Sequence, residues 1–187
     1  MFSLLYPSEP APLLGTMADN AEMMPVTEPG GIVVGRACRG FIHGGSLLLH
    51  PVVHLHIINR QSKIYLQRRG MDKELYPGLW DTAVGGHVDY GELLETALYR
   101  EASEELSFSA FNPIYLKTYL WESSTEKELV NVFAAVGNFK IDVSNEEVSE
   151  CRYWSMEEIV SSMGKGVFTP NFEHEFSMLS KTLLALL

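Results

Sequence analysis

The chain has 187 residues, 46% of them hydrophobic and 20% charged, with a formal charge of −10, a profile that fits one soluble globular domain with a single core. That acidity, with a pI near 5.0, argues against a binder of duplex nucleic acid, which is normally basic. No apolar run approaches the roughly 20 residues a membrane-spanning helix needs, and an acidic surface repels anions, so a phosphate-handling site needs local positive charge or bound metal.

Residues 1–22 hold Pro7, Pro10 and Pro12 without a periodic apolar pattern, and read as a disordered extension ahead of a domain at 23–187. Phe2-Ser3-Leu4-Leu5-Tyr6 is too short for a signal sequence and lacks a basic flank. The abrupt change at Met17-Ala18-Asp19-Asn20 leaves Met17 open as an alternative start to Met1. Met23 and Met24 read as core residues. Cys38 and Cys151 are too few and too far apart for a disulfide framework or a zinc site, so a reducing, cytoplasmic setting is the default.

Gly30-Gly31 reads as a turn into a short strand, Ile32 to Val34, and Gly44-Gly45 as a second loop. Val52 to Ile58 is a β-rich run. Asn59-Arg60-Gln61-Ser62 connects it as a hairpin to Lys63–Arg68. Alternation there places Ile64, Leu66 and Arg68 on one face and Tyr65 and Gln67 on the other, so Arg68 continues an apolar, inward row. Met71 to Trp80 is a loop carrying Lys73, Pro77 and Gly78, and Asp81 to Gly85 is a short extended piece. Leu93 to Leu106 is the strongest helix. Strands follow at Ile114–Trp121, Leu129–Val136 and Arg152–Trp154. Ser155-Met156-Glu157-Glu158 opens a short helix with a capping box, and Phe172–Leu187 forms a C-terminal amphipathic helix. Mixed strands with interspersed helices predict an α/β sandwich.

On the long helix, Glu101, Glu104 and Glu105 fall within an arc of about 100°. They border the apolar stripe of Leu94, Leu98, Ala102 and Leu106. Like charges three and four residues apart repel by a few tenths of a kcal/mol, and they sit at the helix end whose dipole disfavours anions. An acidic run on its own reads as a solvated face, with Arg100 as an ion-pair partner. Asp89 and Glu92 on their own read as an N-cap and its partner. Several costly placements on one helix suggest a compensating cation, and hard carboxylate oxygens suit Mg²⁺ or Mn²⁺.

The joint spacing decides between these readings. Gly86, Glu92, Arg100, Glu101, Ala102, Glu104 and Glu105 resemble the Nudix box, G-x5-E-x7-R-E-U-x-E-E-x-G-U, with Ser107 in place of the final glycine and Phe108 in the last aliphatic slot. That glycine position resembles a helix C′ residue, where a left-handed conformation costs another residue about 1 kcal/mol. The resemblance implies a Nudix α/β/α sandwich with a mixed central sheet. It further implies Glu101, Glu104 and Glu105 as catalytic and metal-binding residues, with the Gly86 carbonyl completing the metal site and Glu92 and Arg100 supporting it. One of these glutamates, or a downstream one, would activate water.

Gln67-Arg68-Arg69, Lys73, Pro77-Gly78-Leu79-Trp80-Asp81 and Gly85-Gly86-His87-Val88 resemble the branch that includes isopentenyl-diphosphate isomerases. So do Leu49-His50-Pro51 and Glu147-Val148-Ser149-Glu150. Arg68, Arg69 and Lys73 supply positive charge for a substrate phosphate. The implied activity is Mg²⁺-dependent (or Mn²⁺-dependent) hydrolysis of a nucleoside diphosphate linked to another moiety, a small-molecule substrate. Dimerisation is common in the family, though nothing in the sequence marks an interface. The rival readings are an isomerase and a non-catalytic nucleotide sensor. The isomerase needs a cysteine in the segment after Trp80, and Asp81-Thr82-Ala83-Val84-Gly85 has none; the sensor is opposed by the intact glutamates. His54 and His56 share one face of a strand and His50 lies just before it; they read first as strand histidines satisfied by packing or hydrogen bonds, with a metal site, implied by the resemblance to the isomerases, as the sharper alternative. Glu147 and Glu150 read first as surface glutamates, with an auxiliary metal role as the sharper alternative. Tyr119 and Trp121 are equally fit to stack a base or to pack.

Overall fold

The structure is a computed structural model that describes residues 2–16, 22–73, 75–141 and 148–187. It has an α/β architecture with a mixed sheet. Nine strands are described: β1 (Met23–Thr27), β2 (Val33–Cys38), β3 (Leu49–Ile58), β4 (Ile64–Arg69), β5 (Trp80–Asp81), β6 (Val84–His87), β7 (Ile114–Glu122), β8 (Lys127–Val136) and β9 (Val148–Trp154). Helices are a short turn α1 (Arg39–Phe41) running into a π-turn Ile42–Ser46, then α2 (Leu94–Leu106), α3 (Met156–Ser162) and α4 (Pro170–Leu184). The larger sheet runs β5-β4-β3-β8-β7, with β6 paired to β3 and β9 to β4. Among the described residues no helix is long and apolar enough to cross a membrane.

The chain groups into two compact units, each assembled from three segments. One comprises Met1–Val53, Gly86–Leu98 and Lys117–Val132. Its β1 and β2 form an antiparallel pair with an irregularity between Val26 and Thr27. Pro25 is tolerated because β1, in a two-stranded ladder, has an open edge that needs no proline N–H. Met24, Val26, Ala37 and Ile42 bury a small core there, in keeping with the core reading of Met24. The expected unstructured tail instead carries defined contacts. Leu5 bridges Ile32 and Leu13 bridges Arg36 in parallel sense. Leu5 and Leu14 amides donate to Gly31 and Arg36 carbonyls at 2.9 and 2.8 Å. Composition misleads at this point because a proline-rich stretch can still pair intermittently, at the residues between its prolines. Met17 lies outside the described residues.

The other unit comprises His54–Gly85, Tyr99–Leu116 and Phe133–Leu187. β4 is its hub, antiparallel to β3 through Ile57↔Tyr65, to β5 through Arg68↔Trp80 and to β9 from Ile64↔Trp154 onward. Ile58, Ile64, Leu66, Trp80, Trp154, Ile159, Phe168, Phe172, Phe176 and Leu183 form its core. The asparagine of the predicted hairpin closes it, since Asn59 Oδ1 accepts from the Gln61 and Lys63 amides at 3.0 and 2.9 Å. The predicted capping box at Ser155 and Glu158 is present. Thr169 caps α4, with Pro170 in its first turn, where a missing N–H costs nothing.

Two expectations change. β1 has no counterpart among the predicted strands, and Arg68 does not continue the inward row. It is exposed because the β4–β9 register shifts between Arg68 and Arg69, where the strand ends and the apolar alternation stops.

Candidate metal and diphosphate site

α2 buries its predicted stripe: Leu94 is 5% exposed, and Leu98, Ala102 and Leu106 are 0%. It ends at Ser107, whose φ of 49° is the left-handed conformation expected at the position of the missing glycine. Phe108 follows, its amide donating to the Ala102 carbonyl at 3.1 Å, and its ring stacks on Phe111 with centroids 4.9 Å apart. The helix terminus is thus held by aromatic packing in spite of the strained serine.

The glutamates on this helix occupy different surroundings. Glu104 is open to solvent, its side chain 56% exposed, whereas that of Glu101 is 13% exposed. Arg100 Nη1 lies 2.7 Å from Glu101 Oε1 and 3.4 Å from Glu104 Oε2. Glu105 faces inward: its Oε2 accepts from Gln67 Nε2 at 2.9 Å and from the Gly85 amide at 3.2 Å. Burial, reinforced by the neighbouring charge of Glu101, pushes its carboxyl up to about 8. A carboxylate held against its own ionisation, beside a second one, is a position where a cation relieves the charge. Among the described residues, these three do not converge on a common point as they stand, because Glu101 turns to Arg100 while Glu105 is held by Gln67 and Gly85. Gln67 belongs to a motif quoted from the sequence, but its burial at 7% on β4 and its bond to Glu105 show only in three dimensions.

Gly86 follows Gly85 in β6. Glu92 reaches back to the turn before α2: its Oε2 accepts from the Asp89 amide at 3.0 Å, and its own amide donates to the Asp89 carbonyl at 2.9 Å. Glu92 therefore shapes the entry to the helix. The basic residues brace the loop after β4. Arg68 Nε donates to the Gly78 carbonyl at 2.9 Å and Arg69 Nε to the Leu75 carbonyl at 3.0 Å. Their outer nitrogens approach Glu150 at 3.7 Å and Asp81 at 3.5 Å respectively. Lys73 sits half-buried within the same loop. Glu147 lies outside the described residues.

Histidines form two further clusters. His54 and His56, alternate residues of β3, both approach Glu175 of α4 at 2.7 Å, through Nδ1 and Nε2 respectively. Burial alone would raise the Glu175 carboxyl, but the charge on His54 and bonds from both imidazoles hold it well below the usual carboxylate range. The expected packing role of these strand histidines is what the geometry shows. Their partner went unnoticed, although a glutamate within the apolar row of Phe172, Phe176 and Leu179 demands a basic neighbour.

Of the second cluster the sequence reading contains His50 and His87, but not their convergence with His43. Ligand atoms of His43, His50 and His87 all lie within 4.8 Å of one another. His43 also meets Glu126 Oε1 at 2.7 Å through Nδ1 and His87 at 3.1 Å through Nε2. His50 Nδ1 lies 3.0 Å from the Leu48 carbonyl, which fixes that nitrogen as the donor and leaves Nε2 a bare, buried lone pair without a hydrogen-bond partner. Burial first, and His43 second, hold its pKa below the ordinary value. An imidazole oriented by a carbonyl, with its other nitrogen bare among histidines and a carboxylate, fits a divalent cation. These residues come from the π-turn, β3, β6 and the turn just before β8, so no local spacing announces them.

A family model described as the NUDIX domain matches residues 48–172. The chain belongs to the Nudix family. An uncharacterised Nudix hydrolase of Nostoc sp. is 26% identical over 156 residues, 80% of this chain and 90% of its own length. A protein of Clavibacter michiganensis named isopentenyl-diphosphate Delta-isomerase is 25% identical over 153 residues, 79% of each chain. The solved structure of a Deinococcus radiodurans protein superposes with a TM-score of 0.71 at 23% identity, covering 87% of this Nudix chain and 99% of its own. At that identity the likeness establishes the fold.

Proposed function

We propose that this Nudix chain hydrolyses the diphosphate linkage of a nucleoside diphosphate joined to a second moiety. The observation that carries the reading is the inward carboxyl of Glu105, held beside Glu101 and kept in place by Gln67 and the Gly85 amide. The donor set fits Mg²⁺ or Mn²⁺, both of which prefer hard oxygen ligands. Glu101, Glu104 and Glu105 would hold the cation together with the Gly86 carbonyl. When bound, it would neutralise the diphosphate and lower the pKa of a coordinated water. Glu92 and Arg100 support this site, Glu92 by closing the turn at Asp89 and Arg100 by its contacts with Glu101 and Glu104. Arg68 and Arg69 at the end of β4 and Lys73 in the loop after it place positive charge suited to the substrate phosphates. Glu104 and Glu105 are the candidates to accept the proton of the attacking water.

The decisive test is a Mg²⁺-dependent hydrolysis screen over sugar nucleotides, dinucleoside polyphosphates, NADH, coenzyme A and deoxynucleoside triphosphates. No turnover of any of them would count against the reading. Glu104→Gln or Glu105→Gln should lower turnover at least ~10²-fold with the fold intact. Wild-type activity in both variants would refute the assigned roles.

A second reading, isomerisation of an isoprenoid diphosphate, is favoured by the name of the Clavibacter relative. The segment Asp81–Gly85 offers no cysteine for it. Incubation with isopentenyl diphosphate separates the two, since double-bond migration would replace hydrolysis as the conclusion.

A further inference from the structure

The loop between β6 and α2 is short, and its tip, Gly91, is exposed at a φ of +91°. Inside the loop, the Asp89–Glu92 bonds described above close the turn. Two further backbone bonds tie its flanks, from the Val88 amide to the Pro51 carbonyl at 3.4 Å and from the Tyr90 amide to the Met23 carbonyl at 2.7 Å. The tip is held by the N-terminal segment. Tyr6 Oη accepts the Gly91 amide at 3.0 Å, and Tyr90 Oη accepts the Ala11 amide at 2.8 Å. The two rings meet edge to face with centroids 5.5 Å apart, and the Arg36 guanidinium lies 5.5 Å from the centre of the Tyr90 ring.

The exchange is reciprocal: each tyrosine comes from one partner segment and binds a backbone amide of the other. Ala11, whose amide completes it, is 2% exposed. The segment is itself anchored on β2 on both sides of the clasp. Val33 donates to the Leu5 carbonyl and Arg36 to the Pro12 carbonyl, both at 2.9 Å. A contact made by chance at a flexible end would not combine two swapped hydroxyl–amide bonds, a buried alanine and flanking strand bridges. The segment also lies outside residues 48–172 matched by the family model, so the common Nudix framework does not supply it.

We infer that Tyr6 and Tyr90 are positioning residues, forming a clasp that fixes the tip of the Nudix-box loop. The inference rests on the reading above, in which β6 carries Gly86 just before the loop and Glu92 lies near the loop's end. With the clasp closed, the turn at Gly91 stays in the conformation that Glu92 caps. With either hydroxyl removed, the loop samples other turns and the Gly86 carbonyl is presented less often to the cation. The cost appears as weaker Mg²⁺ binding, with little change in the stability of the core.

The test uses the full chain with Tyr6→Phe and Tyr90→Phe, which keep both rings. Hydrogen exchange of the Gly91 amide, followed by NMR, is the primary readout, and calorimetric titration with Mg²⁺ alone is the second. Tyr6→Phe should speed Gly91 exchange about five-fold or more, the equivalent of one net hydrogen bond. Tyr90→Phe, which leaves the Gly91 bond itself intact, should speed it as well, because the clasp is reciprocal. Both should weaken Mg²⁺ binding several-fold while the unfolding midpoint stays near that of the parent. Unchanged Gly91 exchange in Tyr90→Phe, or unchanged Mg²⁺ affinity in both variants, would overturn the clasp. The exchange result decides this point even if the substrate screen finds no hydrolysis, so failure of the two readings can be told apart.

Discussion

Glu105→Gln isolates the electrostatics of the candidate metal site. Glutamine has the same shape and retains an oxygen for both the Gln67 amide group and the Gly85 N–H, so only the ionisable proton is lost. In the metal-free native protein Glu105 keeps its proton up to about pH 8, whereas in the unfolded chain it releases it near pH 4.5. Between these values the native state binds more protons than the unfolded state. Stability therefore falls as pH rises through that window, and levels off above about pH 8. A displacement from 4.5 to about 8 corresponds to on the order of 5 kcal/mol, at about 1.4 kcal/mol for each pH unit. Because the residue as a whole is only half-buried, solvent screening reduces the expected effect to about 2–3 kcal/mol. Urea unfolding of metal-free protein across this pH range should show the variant gaining on the parent by that amount from acid to alkaline pH. Adding Mg²⁺ should restore the parent at alkaline pH and leave the variant unaffected. Parallel curves for the two proteins would refute the claim that Glu105 is an ionisation-resisting ligand.

Ser107→Gly removes the left-handed strain at the end of α2 and should stabilise the fold by about 1 kcal/mol, raising the unfolding midpoint by about 2–4 °C for a chain of this size; a lowered midpoint would mean that the serine hydroxyl makes a needed bond. Glu175→Ala strips the shared partner from His54 and His56 and should cost about 3–5 kcal/mol in urea unfolding, whereas a loss under about 1 kcal/mol would show that the cluster is not tightly paired. In the parent, this carboxylate's contribution is present above the unfolded value near pH 4.5 and declines as pH falls toward its depressed native value, so acid titration of unfolding should narrow the gap between parent and variant. Zn²⁺ used as a probe at near-neutral pH should bind at His43, His50 and His87, and His50→Ala should weaken that binding by at least about ten-fold in calorimetry; equal affinity in the variant would remove the histidine centre from consideration.

The parts legible in the sequence are those governed by short-range periodicity. The stripe from Leu94 to Leu106 fixed both the helix and its buried face, whereas the left-handed residue at Ser107 came from the resemblance to the Nudix box, whose final glycine it replaces. Capping chemistry at Ser155 and turn chemistry at Asn59 were equally local. What escaped depends on contacts between distant residues. Gln67 reaches Glu105 38 residues away, and Glu175 meets His54 from 121 residues away. His43 joins His87 across 44 residues, with a π-turn that no propensity foretells. β1 was hidden by its proline, which weakens a strand signal that pairing with β2 makes good. Arg68 was misplaced because alternation was extended past the register shift that ends it.

The aromatic core of the second unit makes it a reporter of its own state. Trp80 and Trp154 meet edge to face with centroids 5.1 Å apart, and the Arg152 guanidinium lies 3.6 Å from the centre of the Trp154 ring. Two indoles so close and so rigidly angled couple their electronic transitions, and the cation beside one of them shifts its emission. Trp121 belongs to the other unit, so replacing it with phenylalanine would leave an indole signal arising from one unit alone. Circular dichroism and fluorescence of that variant would then follow the loosening of β4, β5 and β9 without any attached label, and would show whether a cation or a substrate tightens the unit that carries Glu105.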